Sequence, residues 1–240
     1  EERTLYYADT MGYIVWAETP CVGLDLSTGE ATEVLLSEWL EIVNSHYNHP
    51  AVVGWCPFNE SYHEKCLHKQ THTTVYRVTK ALDPYRPVID ASGGVHYETD
   101  MFDVHDYEQD PEVFAKKLAP LATGGTYDVH QLYVQRGWVT PMLEHPTFVS
   151  EYGGIWWAPG EEAGWGYGKA PQNGEEYLAR FKGLTEAILF HPKMGGLCYT
   201  QLTDVEQEVN GLYTYKRQAK FDPDFFRGVL EQPAAIEKEN

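Results

Sequence analysis

Six short apolar runs punctuate this chain of 240 residues, and segments of helical spacing or long polar loops separate them. The runs are Tyr13–Trp16, Val52–Phe58, Val88–Asp90, Met101–Tyr107, Thr147–Ser150 and Gly196–Gln201. Strands that alternate with helices build a parallel sheet, because each parallel connection needs a crossover. Runs that are apolar on both faces fit strands covered on both sides. The long loops follow strands rather than helices, so they gather at the strands' carboxyl ends, where an α/β barrel carries its chemistry. The spacing therefore predicts an α/β fold.

Between the runs, periodicity predicts a helix that ends at Met11 and is stopped by Gly12, and another over 32–45. The second should bury Val34, Leu35, Trp39, Ile42 and Val43. Further helices are expected over 64–82, 112–118, 175–190 and 221–230. Asp83-Pro84-Tyr85-Arg86-Pro87 reads as a turn. The stretch 110–146 is less regular, and 153–171 is a long loop rich in Gly and Trp. There is no internal repeat.

Composition narrows the partners. A formal net charge of −18 argues against nucleic acid and against anionic membrane surfaces. No run approaches the roughly 18 unbroken apolar residues of a membrane span, and the chain does not open on a signal-peptide pattern. Cys21, Cys56, Cys66 and Cys198 form no tight framework. Cys56 and Cys198 lie inside apolar runs and read as small buried hydrophobes. That usage fits a reducing compartment best and is compatible with a bacterial periplasm.

Two of the runs lead into a glutamate. Val52–Phe58 leads into Asn59-Glu60, and Thr147–Ser150 leads into Glu151. Cleavage of a glycosidic bond needs two carboxyl groups, one to protonate the leaving oxygen and one to attack or to activate water. The acid must hold its proton near neutral pH, and its partner must stay ionised. Tyr107 and Tyr152 are candidate hydrogen-bond donors to Glu151.

The stretch from Asn48-His49-Pro50 to Phe58-Asn59-Glu60-Ser61 resembles the acid/base motif of glycoside hydrolase family 2. Phe148-Val149-Ser150-Glu151-Tyr152-Gly153-Gly154 resembles its nucleophile motif. Leu5-Tyr6-Tyr7-Ala8-Asp9, with Trp16-Ala17-Glu18-Thr19-Pro20, is similar to the segment around the family's third barrel strand. The run Tyr199–Glu206 with Asn210-Gly211-Leu212 is similar to the end of its eighth strand in a β-galactosidase-like branch. The four motifs occur in the family's order.

The resemblance implies a (β/α)8 barrel in which residues 1–240 run from about the third strand to the eighth helix. It implies a retaining β-glycosidase, with Glu60 as general acid and then base, Glu151 as nucleophile, and Asn59 on the sugar 2-hydroxyl. His105 and Tyr107 close the strand before the nucleophile strand and are candidate sugar contacts, as is Tyr152. Trp156 and Trp157 can stack on sugar faces. Gln201 and Asp204 can meet sugar hydroxyls, although Tyr199 and Gln201 depart from the tryptophan many relatives carry there. Glu18 ends the first visible strand and is a further cleft candidate. His68 and His72, at i and i+4, have a spacing that can grip a metal, but a solvated helix face is the plainer reading.

The family's first two barrel strands are missing from this sequence, so it is expected to be part of a longer enzyme preceded by β-sandwich domains. The isolated 240 residues are then expected to turn over poorly. A carbohydrate is the expected partner, and a homo-oligomer is compatible with the family. The chemistry requires no cofactor, although some β-galactosidases of the family use Mg²⁺ and Na⁺. Two other readings stay open: an endo-acting, mannanase-like hydrolase of the same clan, and a carbohydrate-binding barrel without turnover.

Overall fold

The computed structural model describes residues 2–19, 24–61, 68–125, 127, 145–159 and 164–239. Cys21, Cys66 and the start of the helix expected over 64–82 lie outside the described residues. The chain falls into two compact units. Glu1–Asp103 and Val129–His145 form the first; Val104–Asp128 and Pro146–Asn240 form the second.

In the first unit the order is α1 (Glu2–Met11), β1 (Val15–Glu18), α2 (Gly29–His46), β2 (Val52–Cys56) and α3 (Lys69–Leu82). Gly12, at φ +71°, ends α1, in a left-handed conformation that costs glycine little. β1 and β2 pair in parallel, with Ala17 opposite Trp55 and Glu18 opposite Cys56. Gly54 is required here, because a Cβ would lie 1.9 Å from the Trp16 ring. The run Val88–Asp90 does not form a full strand. It meets the β2 line through two isolated parallel bridges, Trp55 to Val88 and Asn59 to Ser92.

Thr28 caps α2 by accepting from the Ala31 amide. The helix buries Leu35, Trp39 and Val43, one turn apart, whereas Val34 is half exposed, outside the expected apolar face. α3 buries Thr71, His72, Val75 and Thr79. Its polar members are satisfied: Thr79 Oγ1 accepts from Trp39 Nε1 at 2.7 Å, and Thr71 Oγ1 donates to the Leu26 carbonyl at 3.1 Å. Trp55 donates to Asp83 Oδ2 at 2.9 Å, which Arg86 also holds at 2.7 Å. Tertiary packing thus overrides the solvated reading of the His68/His72 face: His72 is fully buried with its ring 4.4 Å from Phe58. Burial lowers its pKa and keeps it neutral.

β3 (Phe102–Asp106) crosses the boundary between the units at Asp103 and Val104. The second unit continues with α4 (Pro111–Leu118), a 3₁₀ turn (Ala119–Thr123), β4 (Thr147–Gly153), α5 (Gly174–Leu189), β5 (Met194–Thr200), α6 (Pro223–Leu230) and a second 3₁₀ turn (Ala235–Glu239). Asp110, Asn173 and Asp222 cap α4, α5 and α6 with their side chains. The sheet order is β3-β4-β5, and β4 runs parallel to β5. The core of this unit is aromatic. Tyr152 of β4, Tyr177 and Phe181 of α5, Tyr199 of β5 and Phe226 of α6 contact one another in tilted and edge-on pairs.

Candidate active site

The first carboxylate lies four residues beyond β2. Backbone and hydroxyl contacts hold the intervening chain from two sides. Thr19 Oγ1 donates to the Pro57 carbonyl at 2.8 Å. Ser92 does the rest: its amide donates to the Phe58 carbonyl at 2.8 Å, its carbonyl accepts from the Glu60 amide at 3.0 Å, and its hydroxyl donates to Asn59 Oδ1 at 2.6 Å. Glu60 adopts φ +46°, a left-handed conformation rare outside glycine. Strained backbone of this kind persists only where surrounding structure enforces it, and it concentrates at functional sites. Ser92 is the residue that enforces it, and nothing in the sequence marks it out.

Behind Ser92 lies a buried charge cluster. The His96 ring sits between Asp90 Oδ1 at 2.8 Å and Asp103 Oδ1 at 3.0 Å, and all three side chains are fully buried. Asp103 Oδ2 also accepts from the Gly93 amide at 2.9 Å, and Asp90 Oδ2 from the Tyr97 amide at 2.6 Å. Burial alone would drive the His96 pKa down. Hydrogen bonds and charge from Asp103 and Asp90 outweigh it and hold the value up at about 10. The imidazolium therefore locks the Ser92-Gly93 turn that grips Asn59 and Glu60.

The second carboxylate is held by side chains. Glu151 lies on β4, and the Tyr107 hydroxyl donates to its Oε2. The His105 ring, almost fully buried, stands 3.5 Å from Oε1. Tyr107 is kept protonated because burial, then the charge and hydrogen bond of Glu151, push its pKa up. Its ring stacks on Tyr167, centroids 3.4 Å apart and planes 2° from parallel. Gln109 fixes the strand ends around this pair. Its Nε2 donates to the Tyr107 carbonyl at 3.0 Å and the Gly153 carbonyl at 2.5 Å. Arg180 donates to Gln109 Oε1 at 3.3 Å, which orients the amide. Neither Gln109 nor Arg180 stood out in the sequence, since a bridging amide leaves no pattern.

The structure redirects two expected contacts, Tyr152 and Asp204. Tyr152 is fully buried and shares a 2.9 Å hydrogen bond with Thr185, so it does not serve Glu151. Successive strand residues face opposite sides, and Glu151 takes the other side. Asp204 is 7% exposed, and its Oδ1 accepts from Lys220 Nζ at 2.7 Å and the Gly211 amide at 2.8 Å. That pairing ties down a loop instead of offering a carboxylate to sugar. Trp157 packs on Tyr177 and Phe221, with centroids 5.7 and 5.4 Å away. Gln201 follows β5 and donates to Asn210 Oδ1 at 2.7 Å.

The fold is an α/β one of parallel strands, with Glu60 beyond the end of β2 and Glu151 near the end of β4. The family model "Glycosyl hydrolases family 2, TIM barrel domain" matches residues 1–161, and the chain belongs to that family. A β-glucuronidase of Rattus norvegicus is 36% identical over 103 residues, which is 42% of this chain and 16% of that protein. The β-D-glucuronidase of Dictyoglomus thermophilum superposes with TM-score 0.69 at 21% identity, covering 98% of this chain and 43% of that one. A β-galacturonidase from Eisenbergiella tayi, bound to galacturonate, gives TM-score 0.69 at 18% identity over 95% of this chain and 42% of that one. At such identities the likeness is one of fold. The chain spans less than half the length of each of these proteins.

Proposed function

We propose that this chain carries the catalytic machinery of a retaining β-glycosidase that removes terminal sugars by double displacement. The observation that carries the reading is Glu151, placed on β4 with one oxygen held by Tyr107 and the other beside His105, in a chain of a glycoside hydrolase family. In the first step a Glu151 oxygen attacks the anomeric carbon. The bond to the leaving oxygen breaks as Glu60 gives that oxygen its proton, and a glycosyl ester forms. In the second step water loses a proton to Glu60 and attacks the anomeric carbon, the ester breaks, and Glu151 returns as carboxylate. Asn59 meets the sugar 2-hydroxyl; Ser92 on its Oδ1 decides which end of the amide can do so. His105, Tyr107, Gln201 and Trp157 remain the candidate sugar contacts. In this reading the described strands, with the bridges at Val88 and Ser92, are strands three to eight of a (β/α)8 barrel.

A 2-fluoro glycoside traps the glycosyl ester, so mass spectrometry should find the label on a peptide containing Glu151, and Glu151→Gln should abolish it. Labelling that survives the substitution overturns the assignment. Galactosides are the glycone that the 199–212 motif suggests, whereas uronides are the glycone named for the relatives. Aryl β-galactoside, glucuronide, galacturonide and mannoside, tested side by side, decide between them.

A further inference from the structure

Trp165 is an exposed indole on a rigidly held backbone. Its amide donates to the Gln207 carbonyl at 2.8 Å, and its carbonyl accepts from the Val209 amide at 2.9 Å. Two residues on, the Tyr167 amide donates to the Gly154 carbonyl at 2.9 Å. The flanking glycines allow this close packing. A Cβ on Gly166 would lie 2.5 Å from Trp156 Cα, and one on Gly164, at φ +129°, would lie 2.8 Å from Val209 Cγ2. The segment thus presses down on both sides and turns one side chain outward. The Trp165 residue is 45% exposed, while Trp39 and Trp55 are fully buried.

The ring is connected to the chemistry by other rings. Trp165 stands edge-on to Tyr167, centroids 5.7 Å apart at 76°. Tyr167 stacks face to face on Tyr107, whose hydroxyl holds Glu151. A continuous aromatic wall therefore runs from the carboxylate to the surface and ends in an indole. An indole has only two side-chain torsions to lose when a flat apolar face stacks on it, and here its backbone is already fixed, which makes it an economical anchor.

Resting on the glycosidase reading above, we propose that Trp165 is the platform for the leaving group: the flat face of the ring attached to the departing oxygen, aromatic or pyranose, stacks on it. The test is equilibrium binding of methyl and phenyl 1-thio-β-glycosides of galactose and of glucuronic acid to the full chain. These probes resist cleavage, so the measurement does not depend on turnover. For the glycone that binds, the phenyl probe is expected to bind about tenfold tighter than the methyl probe. Trp165→Ala should abolish that preference and Trp165→Phe should keep most of it. A phenyl preference that survives Trp165→Ala, the lack of any preference in the natural chain, or equal loss of both probes in the variant overturns the proposal. A Trp165-dependent preference found together with 2-fluoro glycoside labelling that survives Glu151→Gln would refute the assignment of Glu151 and leave the platform standing.

Discussion

The two units hold their strand-end carboxylates by different means. In the first, the backbone sets the position of Glu60: its amide is bound to the Ser92 carbonyl and its φ is +46°. In the second, side chains set the position of Glu151, through the Tyr107 hydroxyl and the nearby His105 ring. The difference matches the two proposed tasks. A group that must give and take back a proton is aimed by its main chain, so positioning does not require a fixed hydrogen bond to its oxygens. A group that must stay ionised and attack along one line benefits from a donor that fixes an oxygen. The support behind each follows the same division: a buried ion triad stands behind Ser92, and a bridging glutamine stands behind Tyr107.

The comparison can be broken most sharply at the carboxylates. Glu151→Gln is expected to cost on the order of 10⁴-fold or more in kcat on every substrate. Glu60→Gln should cost about 10²–10⁴-fold with poor leaving groups and much less with a nitrophenolate, which needs no proton. Equal losses on both substrates for Glu60→Gln would remove its distinct role. Next comes the ion triad. His96→Gln leaves Asp90 and Asp103 buried without their cation and should cost about 3–5 kcal/mol in urea unfolding. The pH dependence carries its own signature. The folded pKa of about 10 lies above the ordinary 6.5. The stabilisation is therefore fully present below 6.5 and fades as pH rises through about 10. His96→Gln should flatten that alkaline slope; an unchanged slope would show that His96 is not the titrating group.

Smaller effects separate the side-chain support. Tyr107→Phe removes a donor to a charged group, worth about 1.5–3 kcal/mol, and should lower kcat roughly 10–100-fold with little loss of stability. Gln109→Ala should lower kcat less, by a few-fold to about tenfold, because a bridge between two carbonyls acts on Tyr107 only indirectly. A larger loss in Gln109→Ala than in Tyr107→Phe would show that the bridge, not the hydroxyl, positions the carboxylate.

Much of this was readable in the chain, for identifiable reasons. Long periodic segments declared themselves: Gly12 ends α1 where the sequence marks it, and α4 and α5 begin directly after the capping side chains Asp110 and Asn173. The Val88–Asp90 run was read as a strand, but only single bridges form around Val88 and Ser92. Apolar content does not say how many ladder bonds will close. His72 looked solvated because polar residues surround it in sequence; α3 buries it because its Thr neighbours find partners across the helix pair. The period of two already places Tyr152 opposite Glu151, so the sequence itself argues against Tyr152 as its donor. The sequence points to Trp156 and Trp157 and not to Trp165, because packing of Trp157 on Tyr177 and Phe221, distant along the chain, leaves no local pattern.

Glu151 and Tyr152 are neighbours that serve opposite masters. One meets Tyr107 and His105; the other is anchored among Thr185, Phe114 and Tyr199. A single peptide unit thus couples reactivity to core packing. Anyone redesigning the hydrophobic interior of this unit at Tyr152 is also re-aiming the proposed attacking oxygen, and a gain in melting temperature obtained there should be checked against turnover before it is kept.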